Sequence, residues 1–224
     1  EAPGDLYLRN DTEEPYKIKR HEVTYAKEAL GIQVQPDGNM QQQIKELKKK
    51  AVKWADKVRT NRITKGEAWY VLKSTIMKTI EYPLMATTMS KEDLKSIMLP
   101  IFKAALPKAH VQSRMPHALR YGTLEYQGID LQNPYWTQLI EHLQAILRHH
   151  HRETPTQELL QDNMELVQTY VGSTTNFWDL PFSEYKHLLP TGWIKHTWQS
   201  LSETTLRLQG PSLSPPLART HDVA

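Results

Sequence analysis

Met40, Ile44, Leu47, Ala51, Trp54 and Val58 recur at alternating spacings of four and three. That rhythm puts all six side chains on one face of a 3.6-residue helix. Around the rest of the same helix run Lys45, Lys48, Lys49, Lys50, Lys53, Lys57, Arg59 and Arg62, against only Glu46 and Asp56. A chain built on such a segment must bury one face of it and leave the remainder in water or against something negative. Just upstream, Pro36-Asp37-Gly38-Asn39 supplies a turn, and Asn39 is a good N-cap for the donors left unpaired at the helix start.

Ahead of that turn lies the main β signal. Leu6, Tyr7 and Leu8 form a short apolar run, Tyr16–Arg20 alternates, and Leu30-Gly31-Ile32-Gln33-Val34 alternates again, with Asn10-Asp11 and Pro15 as breakers. Two or three short strands do not make a stable sheet alone. No partner sheet follows, and the chain opens on Glu1 in a strand-bearing segment, so the expectation is that a partner lies upstream.

Beyond Asn39 the patterning is helical. Thr64-x-x-Glu67 is a capping box that opens a second helix along Trp69, Leu72, Ile76, Ile80 and Leu84, which Pro83 should kink or end. Ser90, with Asp93 at the box position, opens a third through Leu94, Ile97, Met98 and Ile101, which Pro100 should interrupt. Pro116, Gly122, Gly128 and Pro134 break up the stretch from Lys108 to Asn133, where Thr123–Gln127 could form a strand. A fourth helix, Pro134 to about His149, aligns Trp136, Leu139, Ile140, Leu143 and Leu147. A fifth opens at Thr154-Pro155 and closes at Gly172, the expected left-handed stop. A short turn follows Pro181 with Phe182, Tyr185 and Leu188, and a last helix carries Trp193, Trp198, Leu201 and Leu208 to Gly210. The tail Pro211–Ala224 reads as disordered. The fold class expected is mainly α: short antiparallel strands, a multi-helix bundle, then a second helical region.

Composition narrows the chemistry. With no cysteine there is no disulfide, thiolate zinc site or cysteine nucleophile. No apolar run approaches the ~20 residues of a membrane span. The Arg148-His149-His150-His151-Arg152 run does not make a metal site, because consecutive helical histidines point about 100° apart. It reads as a solvated helix end, where cations suit the C-terminal dipole. There is no Gly-x-Ser-x-Gly elbow and no glycine-rich phosphate loop.

Net charge is only +3, so the positive charge is local to the first long helix. Lysines can simply solvate the outside of a core helix. Against that, the like charges Lys45–Lys49, Lys49–Lys53 and Lys53–Lys57 at i, i+4 oppose helix formation. A sequence that accepts the repulsion points to an anionic partner. Phosphate backbones are the commonest, and binding to them is salt-sensitive and sequence-blind. A membrane surface suits this helix less well, since Ala51 and Trp54 limit its apolar face and fit it better to a bundle.

With these residues laid out, the chain resembles the C-terminal half of a non-LTR (LINE-like) retroelement reverse transcriptase. Ala29-Leu30-Gly31-Ile32 followed by Pro36-Asp37-Gly38-Asn39 resembles the primer-grip hairpin and the turn into the thumb. The helix with Ala51, Trp54 and Ala55 is similar to the first thumb helix. Glu81-Tyr82-Pro83-Leu84, Ser90 and Leu99-Pro100-Ile101 are similar to the next thumb helices. Tyr121-Gly122 with Gln127-Gly128-Ile129-Asp130-Leu131 resembles a Gly-Gly-(Leu/Ile)-Gly-(Leu/Ile) segment, with Gln127 and Asp130 in place of the first and last Gly.

The resemblance implies a palm-edge and primer-grip segment at 1–35, a thumb-like bundle at 36–110, a helical region at 111–210 and a disordered tail at 211–224. It implies an RNA-directed DNA polymerase as the parent, with Mg2+ held by aspartates in a Tyr-x-Asp-Asp hairpin and an earlier palm strand. No Asp-Asp pair occurs here, so this chain is expected to hold no catalytic residue, metal or cofactor of its own and to be inactive alone. Its expected partners are the RNA/DNA template–primer duplex and the upstream fingers and palm, in the nucleus or cytoplasm and away from membranes. Leu30, Gly31 and Ile32 are the primer-grip-like residues, and Lys45, Lys48, Lys49, Lys53, Lys57, Arg59 and Arg62 the nucleic-acid-binding candidates. The alternatives are a non-enzymatic helical module that binds nucleic acid or protein, its tryptophans packing a core or docking a partner helix, and a decayed retroelement remnant.

Overall fold

The structure is a computed structural model that describes residues 7–9, 15–150 and 152–208. The chain is mainly helical, with short antiparallel strands preceding the helices. Strands β1 (Tyr7–Arg9) and β2 (Pro15–Lys17) pair as one two-stranded ribbon, and β3 (Lys27–Ala29) and β4 (Ile32–Val34) as another. Leu30-Gly31 is therefore a hairpin turn and not the opening of a strand. Both residues have positive φ, 51° and 80°, the requirement of a two-residue turn whose twist matches its strands. The expected apolar residue Leu6, the tail 211–224 and the stop at Gly210 lie outside the described residues.

Helix α1 (Gln41–Thr60) buries Gln43, Ile44, Leu47, Ala51, Ala55 and Val58, with Trp54 half-buried beside them. Asn39 Oδ1 accepts from the Gln41 amide at 2.9 Å, so the expected cap acts one residue ahead of the helix. Both capping boxes form: Thr64 with Glu67 at α2 (Lys65–Val71), and Ser90 with Asp93 at α4 (Lys91–Lys108). Between α2 and α3 (Met77–Glu81) the chain makes a π turn at Leu72–Ile76. There the Trp54 indole N–H donates to Thr75 Oγ1 at 2.9 Å, tying α1 to the turn. Pro83 ends this run, and a 3-10 turn follows at Leu84–Ala86.

Three expectations fail for identifiable reasons. Pro100 does not interrupt α4, which runs through it and through Pro107. A mid-helix proline costs roughly 3 kcal/mol, and here Ile97, Met98, Ile101 and Phe102, all buried, pin the helix on either side of it. Thr123–Gln127 is not a strand. Following α5 (His117–Tyr121), the chain makes a 3-10 turn at Leu124–Tyr126 and folds back, with Ile129 N–H donating to Leu119 O and Asp130 N–H to Gly122 O, each at 2.9 Å. Gly122 and Gly128 cross so closely that a Cβ on Gly128 would lie 1.9 Å from Gly122 O. The last helix, α9 (Trp193–Ser202), stops well short of Leu208.

Helix α6 (Pro134–His149) has the expected bounds but a rotated buried face. Tyr135, Gln138, Leu139, His142, Ala145 and Ile146 point inward, while Ile140 and Leu147 are half exposed. It is followed by α7 (Pro155–Val171), which stops at left-handed Gly172, a 3-10 turn at Phe177–Asp179, and α8 (Phe182–Tyr185). One apolar cluster joins α1–α4 with Leu131 and Tyr135, and a second gathers α6–α9 around Trp198. Trp136 packs against both. No helix among the described residues is long and apolar enough to cross a membrane.

Candidate nucleic-acid interface

Packing against α4 sets which side of α1 meets water. With the apolar stripe turned inward, Lys45, Lys48, Lys49, Lys50, Lys53, Lys57 and Arg59 are all exposed, as is Arg62 just past the helix end. Arg59 pairs with Asp56 at 2.7 Å. The six lysines make no ion pair among the described residues, because Glu46 and Asp56 are the only carboxylates on the helix. Lys48, Lys49, Val52, Lys53, Asp56, Lys57 and Thr60 line one open surface. Lys49, Lys53 and Lys57 follow it at i, i+4 steps, and exposed Lys45 extends the series by one step to a rise of about 18 Å at 1.5 Å per residue. That is the axial rise of roughly five nucleotides along one strand. At the far end Lys108 Nζ reaches back from α4 to donate to Asn61 O at 3.1 Å.

The primer-grip-like residues sit at the hairpin tip. Leu30 is 89% exposed and holds a left-handed backbone, an unusual place for a leucine. Its carbonyl accepts from the Tyr82 hydroxyl at 2.7 Å, which fixes the tip against the chain just beyond α3. Ile32 opens β4, and the next amide, Gln33 N–H, donates to Gln43 Oε1 of α1 at 2.7 Å. Hairpin and basic helix are thus held in one fixed relation. Among the described residues no group of three or more acidic or histidine side chains is placed to share a metal ion.

Sequence reasoning missed a buried polar seam. Gln138 accepts from Met89 N–H at 3.1 Å and from Thr87 Oγ1 at 3.2 Å, and donates to Met89 O at 3.0 Å. His142 faces the Leu84 and Thr87 carbonyls through Nε2 and Thr197 Oγ1 through Nδ1. Two carbonyls at Nε2 favour the proton there, while Nδ1 lies 3.0 Å from the Thr197 hydroxyl, which itself donates to Trp193 O at 2.9 Å. Trp193 donates to Met85 O at 3.0 Å, and His196 Nε2 lies 3.1 Å from Met89 O. Burial holds both imidazoles below their ordinary pKa, His142 down to about 3. Polar residues on a helix read as outward-facing, and only the position of the 84–89 turn shows otherwise.

These elements define a helical chain with one strongly cationic helix face and a hairpin docked beside it. No family model, curated protein or solved structure matches the chain.

Proposed function

We propose that α1 is a sequence-blind clamp on nucleic-acid phosphates, and that the chain is the duplex-holding part of a LINE-like reverse transcriptase. The observation that carries the clamp is the unpaired line Lys45, Lys49, Lys53, Lys57 on an exposed helix face. Lysine ammonium groups are point charges that suit phosphate oxygens and read no base. The polymerase assignment rests on the order of the short motifs together with the hairpin at Leu30-Gly31. In that reading the chain supplies grip and thumb, while the metal ions and catalytic aspartates belong to an upstream palm.

The test is anisotropy of a labelled RNA–DNA hybrid against salt concentration. For the triple variant Lys49→Glu, Lys53→Glu, Lys57→Glu, affinity falls for every hybrid sequence, and the slope of log K against log salt shrinks by about 0.9 for each phosphate that the variant no longer neutralises. Equal binding by the variant overturns the clamp. An in-frame Tyr-x-Asp-Asp hairpin encoded upstream of Glu1 would support the polymerase, and its absence would leave a helical binding module.

A further inference from the structure

A second cationic site lies away from the exposed face of α1. A cleft of about 460 Å3 opens between α4, α5 and the start of α6, within the range of small-ligand pockets. Its charged lining is Lys91, Lys95 and Arg120 against Glu92 alone. Its aromatic lining is Phe102 from α4, Tyr121 from α5, and the buried Tyr135 and half-buried Trp136 from α6, with His117 edge-on to Tyr121 at 4.5 Å between ring centres.

The cations differ in how far they are committed. Lys91 is paired with Glu203 and lies over the Tyr135 and Trp136 rings, 4.8 and 5.2 Å from their centres. Arg120 stacks on Phe102 at 4.6 Å and donates to Met115 O at 3.0 Å, and its buried Nε has no partner. Lys95 is exposed and makes no ion pair among the described residues. The first turns of α4 and α6 also border the cleft, bringing the positive ends of two long helices to it. Aromatic rings beside a lysine without an ion pair match a ligand with a flat ring and an anion.

We propose that this cleft binds a nucleotide unit, its phosphate against Lys95 and His117 and its base beside Tyr121 and Trp136. The unit is either a free mononucleotide or one residue of a single strand. The site does not depend on the α1 clamp. Desolvation, then the fields of Arg120, Lys91 and Lys95, hold the His117 imidazole below its ordinary value of 6.5. A phosphate here reverses that field, so binding is coupled to proton uptake at His117.

The experiment is an NMR pH titration of His117 in the full chain, with and without millimolar AMP. AMP is expected to raise the His117 pKa by about one pH unit and to shift the Trp136 indole signal. Lys95→Glu, a surface change whose fold is checked by unchanged circular dichroism, should weaken AMP about tenfold. Ribose 5-phosphate should bind more weakly than AMP. An oligoadenylate binding at the cleft far more tightly than AMP assigns the site to a strand, and equal or weaker binding assigns it to the free nucleotide. The proposal is overturned if AMP leaves His117 unmoved, if Lys95→Glu binds AMP undiminished, or if ribose 5-phosphate matches AMP. Lys49→Glu with Lys53→Glu should leave AMP binding unchanged, so failure of the clamp and failure of this site are told apart.

Discussion

The ring of His142 has no exposure to water, and its two nitrogens meet a hydroxyl and two carbonyls. Charging it would put a proton into a site with no carboxylate among its hydrogen-bond partners and with His196 nearby, which opposes it further. The unfolded chain binds that proton near the ordinary value of 6.5, and the folded chain only near 3. Stability is therefore complete above 6.5 and falls as pH drops from there toward 3, by about 1.4 kcal/mol per pH unit for this group. His196, also lowered, adds a loss of the same sign, although Glu203 works against its shift. Urea midpoints measured from neutral to acid pH should show the decline, and His142→Gln should flatten it. Glycines give a second residue-scale contrast. Gly128→Ala forces a Cβ into Gly122 O and should cost about 2–4 kcal/mol, whereas Gly66→Ala, in open space in the first turn of α2, should gain about 0.5 kcal/mol. Thermal melts of the two variants should move in opposite directions.

Among the elements, α6 separates what patterning can and cannot reveal. Its start at Asn133-Pro134 and its length follow from capping chemistry, as do the starts of α2, α4 and α7. Its orientation does not, because apolar spacing favours a face through Ile140 and Leu147, whereas Gln138 and His142 turn inward to meet the 84–89 turn. Truncation separates the two faces: Leu139→Ala should cost about 2–4 kcal/mol and Ile140→Ala under about 0.5 kcal/mol, read by urea unfolding. The inward side of α1 was legible from its stripe, with Ile44, Leu47, Ala51 and Val58 buried as expected, whereas the burial of Gln43 and Ala55 was not. The cleft was illegible because Lys95, His117 and Trp136 belong to three elements that only tertiary packing brings together.

At the scale of the molecule, two apolar clusters meet at Trp136 and are fastened by side chains of α6 and α9 on the turn at 84–89. None of those hydrogen bonds follows a periodic pattern, so the joining of the halves was not readable in advance. They predict one cooperative unfolding transition, in which tryptophan fluorescence and far-UV dichroism coincide. Gln138→Leu leaves the Met89 amide and carbonyl without this partner in a buried site. Scanning calorimetry of that variant should show the transition broadening or dividing.

If α1 holds a duplex as proposed, the even stepping of its lysines bears on movement as well as on holding. Their repeat is about 6 Å along the axis, while phosphates on one strand recur at about 3.4 Å. The two rulers are incommensurate, like the scales of a vernier. For a duplex lying along α1, few lysine–phosphate pairs come into register at once, so each nucleotide of advance trades some pairs for others over shallow barriers. The proposed clamp would therefore grip without ratcheting, leaving the direction of travel to whatever extends the strand.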